Sequence, residues 1–587
     1  MQKIINVNNI TPIAGTDKYL TAILEYNKKT KTNLNWLLPD KTKLLNFYSF
    51  DTYFKNMERL DGTDSFIQFV MENKNLPSVC ISDHDCDGIM ACVICTVGLS
   101  EFGLNITHIS TDRFNTGYGM KKDMIDWVVN NGIKVIYTVD QGITCNDVID
   151  YAHEKGIKVC VTDHHNGLVK CNADCIVNPC YYENKTFFKT ISGATVILKL
   201  IYELYKSQGL YLNLINDLAF LAGITCLSDC MPLINENRIL YHCTMEYGNQ
   251  NSKYLGDSTY IERISNLLSF NMRPDLDYID NIPIKHFNKT TVDFYFVPVV
   301  NALNRVVGYV DELINDLIDL FYQFVNTPVG AYSHVNKERK TMKSEMIENH
   351  IIDNYSVCVE VFPSDPLVNY SGICGLVASD VVENEKRPAL IGIYPTKGNI
   401  IKFSGRSVPG YSLYELLLRV QQKYTELKLQ FGGHAEALGA SIPQENLDLF
   451  REKVSELYSQ DSFEINEEYF LLDNADTWVK IFKKYGPFGN KFELPRFYAN
   501  TTVQYCNKDK KQFTLKNCGR SEILCYSKVD LEYIMRLATK HRDLNIECIL
   551  EIIYDETGDI RFKLVNILNR NEEIQQQILE ERNNYIS

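Results

Sequence analysis

Between residues 78 and 177 short β-branched runs alternate with helical stretches. The runs are Ser78-Val-Cys-Ile-Ser82, Asn105-Ile-Thr-His-Ile-Ser110, Lys134-Val-Ile-Tyr-Thr138, Lys158-Val-Cys-Val-Thr162 and Asp174-Cys-Ile-Val177. Between them lie GIMACVICTVGLSEF and KKDMIDWVVNNG. Near-continuous apolar strands separated by helices predict a parallel sheet covered on both faces. Right-handed crossovers then bring every strand's C-terminal end to one edge.

The first 75 residues read as mixed and helical, with LTAILEYNKK and SFIQFVMENK as amphipathic pieces. Residues 192–245 read as apolar-rich helices. The stretch 310–355 has no Gly or Pro between Ala331 and Asp353 and reads as a helical connector. A second α/β block is expected over about 356–460. From about 495 to 570 come five strand-like runs with one helical interruption, the pattern of a small barrel of the OB type. Such a domain beside an enzyme suits single-stranded nucleic acid, held by stacking and a charged groove.

With 45% hydrophobic and 23% charged residues in 587, the chain is globular and several domains long, not disordered or fibrous. Sixty Lys and Arg against 74 Asp and Glu give a charge of −14, which excludes a generally basic surface but not a local basic channel. No apolar run approaches the roughly 20 residues that span a bilayer, and the N-terminus lacks a signal-peptide core. A cytoplasmic location follows, host cytoplasm if the source is viral. Eighteen scattered cysteines read as buried small residues, and the spacing of Cys160, Cys171, Cys175 and Cys180 lacks paired zinc knuckles.

The strand ends carry the chemistry. They are Asp83-His84-Asp85-Cys86-Asp87-Gly88, Asp112-Arg113-Phe114, Asp140, Asp163-His164-His165 and Asn178-Pro179. Ligands of open α/β sheets bind along that edge, so the five acids Asp83, Asp85, Asp87, Asp140 and Asp163 and up to three His are expected to converge. Neighbouring carboxylates repel unless cations neutralise them. Oxygen-rich ligation with imidazole suits Mn²⁺ or Mg²⁺, and two such ions suit phosphoester hydrolysis.

Asp83-His-Asp-Cys-Asp-Gly, Asp140, Asp163-His-His and Leu227-Ser-Asp229-Cys-Met-Pro-Leu resemble the four motifs of the DHH phosphoesterases. Arg113-Phe-Asn-Thr-Gly-Tyr-Gly119, Asn178-Pro179, Asn237-Arg238 and Asn301-Ala-Leu-Asn-Arg305 resemble the RecJ branch, the single-strand-specific DNA exonucleases. Gly372-Ile-Cys-Gly-Leu-Val-Ala-Ser379, Ser404-Gly-Arg-Ser407 and Gly432-Gly-His434 resemble the DHH-associated domain. Tyr485-Gly-Pro-Phe-Gly-Asn490 resembles the segment leading into the OB domain of that branch. The sequence departs from the pattern at Val299-Val300 and Asn304, while Arg305 stays.

The resemblance implies an α/β fold: a parallel-sheet DHH domain, a long connecting helix, a second α/β DHH-associated domain and a C-terminal OB-like β-barrel. The expected bounds are 1–75 for an N-terminal helical segment, 76–308 for the DHH domain and 309–355 for the connector. The associated domain follows at 356–462, the OB-like domain at 463–575 and a tail at 576–587. The implied metal ligands are Asp83, Asp85, Asp87, Asp140, His164 and Asp229, for two divalent ions, Mn²⁺ preferred or Mg²⁺. His165 would meet the scissile phosphate or the leaving oxygen, with Asp163 as a ligand or a partner that orients His164 and Arg305 at a phosphate. Arg113, Tyr118, Ser404, Arg406, Ser407, Gly432, Gly433 and His434 would contact nucleic acid; Lys337, Arg339, Lys340 and Lys343 track the strand or form a solvated face.

The activity implied is metal-dependent 5′ to 3′ exonuclease action on single-stranded DNA, releasing 5′-mononucleotides in recombination, repair or replication. A monomer is expected, with a single-strand-binding protein or a helicase as a further partner. Two alternatives are an oligoribonucleotide or cyclic-dinucleotide phosphodiesterase and an inactive RecJ-like replication subunit.

Overall fold

In the computed structural model the described residues are 2–12, 17–27, 49–115, 117–251, 260–268, 288–322, 331–365, 367–461, 467–472, 474–486, 488–516, 521–525, 528–554, 559–572 and 574. The chain opens with strand β1 (Gln2–Ile5) and a helix over Lys18–Tyr26, which belong with the C-terminal strands described below. Helices Phe50–Asn56 and Thr63–Asn73 lead into the first sheet.

That sheet holds β2 (Ser78–Ser82), β3 (Ile106–Ser110), β4 (Val135–Val139), β5 (Lys158–Thr162) and β6 (Cys175–Val177), in the order β3-β2-β4-β5-β6. Every pairing is parallel. Both faces are covered, as the unbroken apolar strands predict. On β2, Val79 and Ile81 enter one apolar layer and Cys80 the other. Helix Cys86–Glu101 is apolar all round and buried from Cys86 to Leu99, wedged between the sheet and helices Gly193–Ser207 and Ile215–Ser228. Each fully buried Val, Ile or Leu there contributes about 1.5–3 kcal/mol. The four cysteines 160, 171, 175 and 180 are not brought together: Cys160 and Cys175 lie in one layer and Cys171 in the other.

The expected single connecting helix is two helices, Asp311–Phe321 and Ser333–Glu348. Pro328 and Gly330 lie in the intervening sequence, and both residues oppose an unbroken helix. The second sheet joins β7 (Cys358–Phe362), β8 (Ala389–Ile393), β9 (Ile400–Arg406), β10 (Gln430–Gly433) and β11 (Ala437–Pro443) in the order β10-β11-β9-β8-β7. Only β7 and β8 run parallel.

The third block holds β12 (Glu467–Leu471), β13 (Phe497–Asn507), β14 (Gln512–Leu515), β15 (Ile523–Leu524), β16 (Asn545–Tyr554) and β17 (Ile560–Ile567). Pairings run β13-β14-β15-β17-β16 and return from β16 to β13. β1 adds to this sheet through β12. The first 75 residues are therefore not one helical unit. Residues 2–12 and 17–27 pack on the C-terminal block, where Lys3 bonds Glu468 at 2.8 Å and Asp17 accepts from Lys484 at 3.0 Å. Residues 49–73 pack on the first sheet's domain. Helix pattern alone could not show a four-residue strand whose partner lies 465 residues away.

Candidate metal centre

The tight turn after β2 places three acids. Asp85 caps helix Cys86–Glu101: its Oδ1 accepts from Asp87 N at 3.0 Å and Gly88 N at 3.1 Å. A Cβ on Gly88 would stand 2.5 Å from the Asp83 carbonyl oxygen, so this turn closes only over glycine. Asp87 reaches across to a second helix start, accepting from Gly193 N at 2.7 Å and Ala194 N at 3.0 Å. Asp83 accepts from Thr111 Oγ1 at 3.0 Å.

Asp140 follows β4 with φ of 57°, a left-handed conformation uncommon for a residue with a side chain. Strain of that kind persists where the surroundings over-determine it, often at a working site. Its side chain packs on Gly193, where an added Cβ would stand 2.6 Å from Asp140 Cβ. After β5 come Asp163, His164 and His165. His164 Nε2 lies 3.0 Å from Asp140 Oδ1, 3.6 Å from Asp229 Oδ2 and 3.8 Å from Asp87 Oδ2. Asp229 stands at the C-cap of helix Ile215–Ser228. His165 Nδ1 lies 2.8 Å from Asp163 Oδ1 and 3.1 Å from Tyr118 Oη.

Three overlapping groups have ligand atoms within 4.8 Å of one another: Asp83, Asp85 and Asp140; Asp87, His164 and Asp229; Asp140, His164 and His165. Burial, then Asp87 and Asp85, push Asp140 well above the carboxylate range. Burial, then Asp87, push Asp229 up to about 7. Burial and then Asp83 raise Asp85. Burial works against charge on His164, but Asp229 and Asp87 raise it. His165 is likewise disfavoured by burial, yet Asp163 lifts it to about 9. Two carboxylates about 4 Å apart repel by about 4 kcal/mol at a near-surface dielectric, a cost that a divalent cation reverses. Asp140 Oδ1 is buried and has no hydrogen-bond partner. An orphaned carboxylate oxygen amid acids and imidazoles fits a hard divalent cation.

Of the two roles left open for Asp163, the contacts favour the orienting one, and the ring it holds is His165 rather than His164. Asp163 is not placed as a ligand: it is fully buried, and it accepts from His164 N at 2.7 Å, His165 N at 3.1 Å and Ile143 N at 3.1 Å. Burial opposes its charge, but these bonds and the His165 contact lower its pKa. His84 stands at the edge of the cluster: its Nδ1 lies 2.8 Å from Thr111 Oγ1 and 3.1 Å from Asp83 Oδ1, and its carbonyl accepts from Asn304 at 2.9 Å. Asn304 therefore fixes the first-motif turn, with Asn301 accepting from Cys86 N at 2.9 Å.

A second cluster stands beside the acids. Arg305, on helix Val297–Val306, is pushed down to about 9 by burial and by Arg113, Arg339 and Arg406, while Asp85 partly offsets them. Arg113 is lowered by burial and feels Asp83 and Asp85. Arg305 thus feels three further cations, each from a different element. Arg305 spends one donor on Gly372 O at 3.3 Å and Arg406 one on Gly405 O at 2.8 Å. Ser407 Oγ is buried without a partner. Ser404 and Arg406 end β9, and Arg406 pairs with Ala437. The β10–β11 turn at Gly432, Gly433 and His434 therefore lies one strand away. Lys343 is taken up by Asp380 at 2.7 Å, while Arg339 of the connector acts on Arg305.

The model of the family described as DHH family, N-terminal domain, matches residues 78–224, and that of the DHHA1 domain matches residues 354–460. The chain thus carries a DHH-family N-terminal domain followed by a DHHA1 domain. Its DHH domain carries all three acid groups except Asp229, five residues beyond the match. The chain is 24% identical over 465 residues to the single-stranded-DNA-specific exonuclease RecJ of Dickeya dadantii, covering 73% of this chain and 76% of that protein. It is 28% identical over 407 residues to the Bacillus subtilis protein of the same name, covering 67% and 47%. Among solved structures, RecJ of Thermus thermophilus in complex with Mn²⁺ matches with a TM-score of 0.70 at 18% identity, over 97% of this chain and 80% of that one. An exonuclease RecJ bound to manganese matches at 0.55 and 22% identity, over 68% and 95%. At these identities the structures speak for the fold.

Two matched segments whose role the sequence left open meet in space beside Asp229. Arg238 is buried, and its guanidinium donates to Tyr485 O at 2.6 Å and Gly486 O at 2.7 Å. Asn490 Nδ2 donates to Cys230 O at 2.5 Å. They dock the third block on the DHH domain.

Proposed function

We propose that this chain is a metal-dependent exonuclease of single-stranded DNA that works from the 5′ end and releases 5′-mononucleotides. The observation that carries the reading is that Asn301 and Asn304, on the helix that bears Arg305, bond the first-motif turn that bears Asp83, Asp85 and Asp87, which sets arginine beside the acids. Asp83, Asp85, Asp87, Asp140, His164 and Asp229 would hold two Mn²⁺ or Mg²⁺ ions, with Asp140 and His164 common to neighbouring groups. Bound ions would activate water and offset charge on the phosphoryl oxygens.

The chain's own groups do the rest. Arg113, Arg305, Arg339 and Arg406, with Ser407, take the terminal phosphate through forked contacts. Asp163 holds His165 by Nδ1, which leaves Nε2 to give a proton to the departing 3′ oxygen. Tyr118, 43% exposed beside His165, offers a face to the end base. Ser404, Gly432, Gly433 and His434 line the far wall.

The third block reads as an OB-like barrel that holds the incoming strand. What supports this is its cycle of five pairings, in which the third and fifth strands run parallel and a helix over Lys528–Thr539 precedes the fourth. Such a module favours a long strand over a dinucleotide, and the intact ligands favour an active enzyme over a structural subunit. The reading includes a monomer in the cytoplasm, supplied with strand by a single-strand-binding protein or a helicase. Among the described residues no helix is long and apolar enough to cross a membrane.

With Mn²⁺, a 5′-phosphorylated single strand should yield mononucleotides while blunt duplex and dinucleotide persist. Equal turnover of duplex, or cleavage of the dinucleotide alone, refutes the proposal.

A further inference from the structure

Away from both clusters, a group of metal-ligating side chains gathers where the connector enters the DHHA1 domain. Cys358 and Glu360 are two apart on β7, so both side chains leave the same face of the strand. Helices Ser333–Glu348 and Cys374–Glu385 cover that face, where Cys358 packs with Met342, Met346 and Val377. His350, two residues beyond the connector helix, turns into the same space. One ligand atom from each of His350, Cys358 and Glu360 lies within 4.8 Å of the others.

The second layer is already in place. His350 Nδ1 makes a close contact with Glu360 Oε2, while Nε2 lies 2.5 Å from Glu385 Oε1. Arg387 holds Glu385, its Nε donating to Oε2 at 2.7 Å. The other oxygen of Glu360 accepts from Ile351 N at 3.0 Å. An imidazole with one nitrogen turned to a thiol and a carboxylate, and the other donating to a second carboxylate, is the arrangement that orients a metal-ligating histidine. A simple ion-pair relay through His350 would account for the two glutamates but not for a thiol at ligand distance.

We propose that His350 Nδ1, Cys358 Sγ and Glu360 Oε2 form a zinc site separate from the acid cluster. Thiolate and imidazole select zinc over the harder Mn²⁺ and Mg²⁺, and water completes a tetrahedron. Binding releases the Cys358 thiol proton and the proton shared by Nδ1 and Glu360. Two protons leave as one dication enters, so the local charge does not change. The ion ties the end of the connector to β7. Arg339 rides on the connector and Arg406 on the DHHA1 sheet, so zinc sets the spacing of two phosphate-cluster arginines.

Cobalt titrated into chelator-stripped full-length protein tests the site, because thiolate ligation gives a sulfur-to-cobalt charge-transfer band in the near ultraviolet. The acid cluster, built of oxygen and nitrogen, gives none. The band should saturate at one equivalent in D85A/D140A, where the acid cluster no longer competes for cobalt, and bleach with zinc. It should vanish in C358S, persist in D85A/D140A and need about 10–100-fold more cobalt in E385Q. No band in the wild type overturns the proposal, as does a band that survives C358S. Should metal-free C358S fail to match the wild-type melting curve, H350Q and E385Q decide: unchanged cobalt affinity in both also overturns it.

Discussion

Replacing Gly193 by alanine probes how closely the acid cluster is packed. The added Cβ would stand 2.6 Å from Asp140 Cβ, 2.7 Å from its Oδ1 and 2.9 Å from its Cα. Ordinary contact begins near 3.4 Å. Asp140 or the start of helix Gly193–Ser207 must therefore yield by about 0.8 Å in an interior packed at crystal density. Alanine's better helix propensity, worth up to about 1 kcal/mol, is outweighed by an overpacking cost of about 1–3 kcal/mol. Because Gly193 N also holds Asp87 at 2.7 Å, the shift moves two acids at once. A displacement of about 1 Å in a reacting constellation costs on the order of 100-fold in rate. Mn²⁺-dependent release of mononucleotide from a labelled strand, measured with a manganese titration and a thermal melt, reads all three effects. G193A should lose about two orders of magnitude in activity, need more manganese and still fold cooperatively. Wild-type activity at limiting manganese would refute the packing argument.

Other expectations follow from the same geometry. D163N frees the His165 ring and should cut activity about 10–100-fold with little change in manganese binding, because Asp163 positions but does not ligate. In chelator, the raised acids Asp140, Asp85 and Asp229 bind more protons folded than unfolded. Stability should therefore fall as pH rises from about 4 towards 7. D229N should flatten that slope, and manganese should raise the melting temperature more at pH 8 than at pH 5; a melt independent of both refutes the assignment. R406A would remove the proposed charged phosphate contact, worth about 1.5–3 kcal/mol, and should weaken binding of a 5′-phosphorylated strand on the order of 10–100-fold, sparing a 5′-hydroxyl strand. R238A leaves two buried carbonyls unpaired and should split the melt into two transitions as the third block undocks.

The parallel sheet was legible because its strands are apolar on both faces and end in Asp83, Asp140 and Asp163, a pattern written locally. The acids could be placed on one edge for the same reason. Their separate duties could not. Whether Asp163 faces a cation or the amides of His164 and His165 depends on the turn, which residue type does not encode. Nor does residue type show where the His84 ring settles, between Thr111 of the neighbouring strand end and Asp83. The arginine cluster was half visible: Arg113, Arg305 and Arg406 were marked singly, but their meeting depends on how the DHHA1 domain packs. The β1 pairing was hidden, since Gln2–Ile5 has no partner within hundreds of residues.

The central claim is that acids and imidazoles distant in sequence share divalent cations. Anomalous scattering from crystals soaked in millimolar manganese measures this directly. The account predicts two peaks, one among Asp83, Asp85 and Asp140 and one among Asp87, His164 and Asp229. Empty density there, or manganese bound only elsewhere, would contradict it.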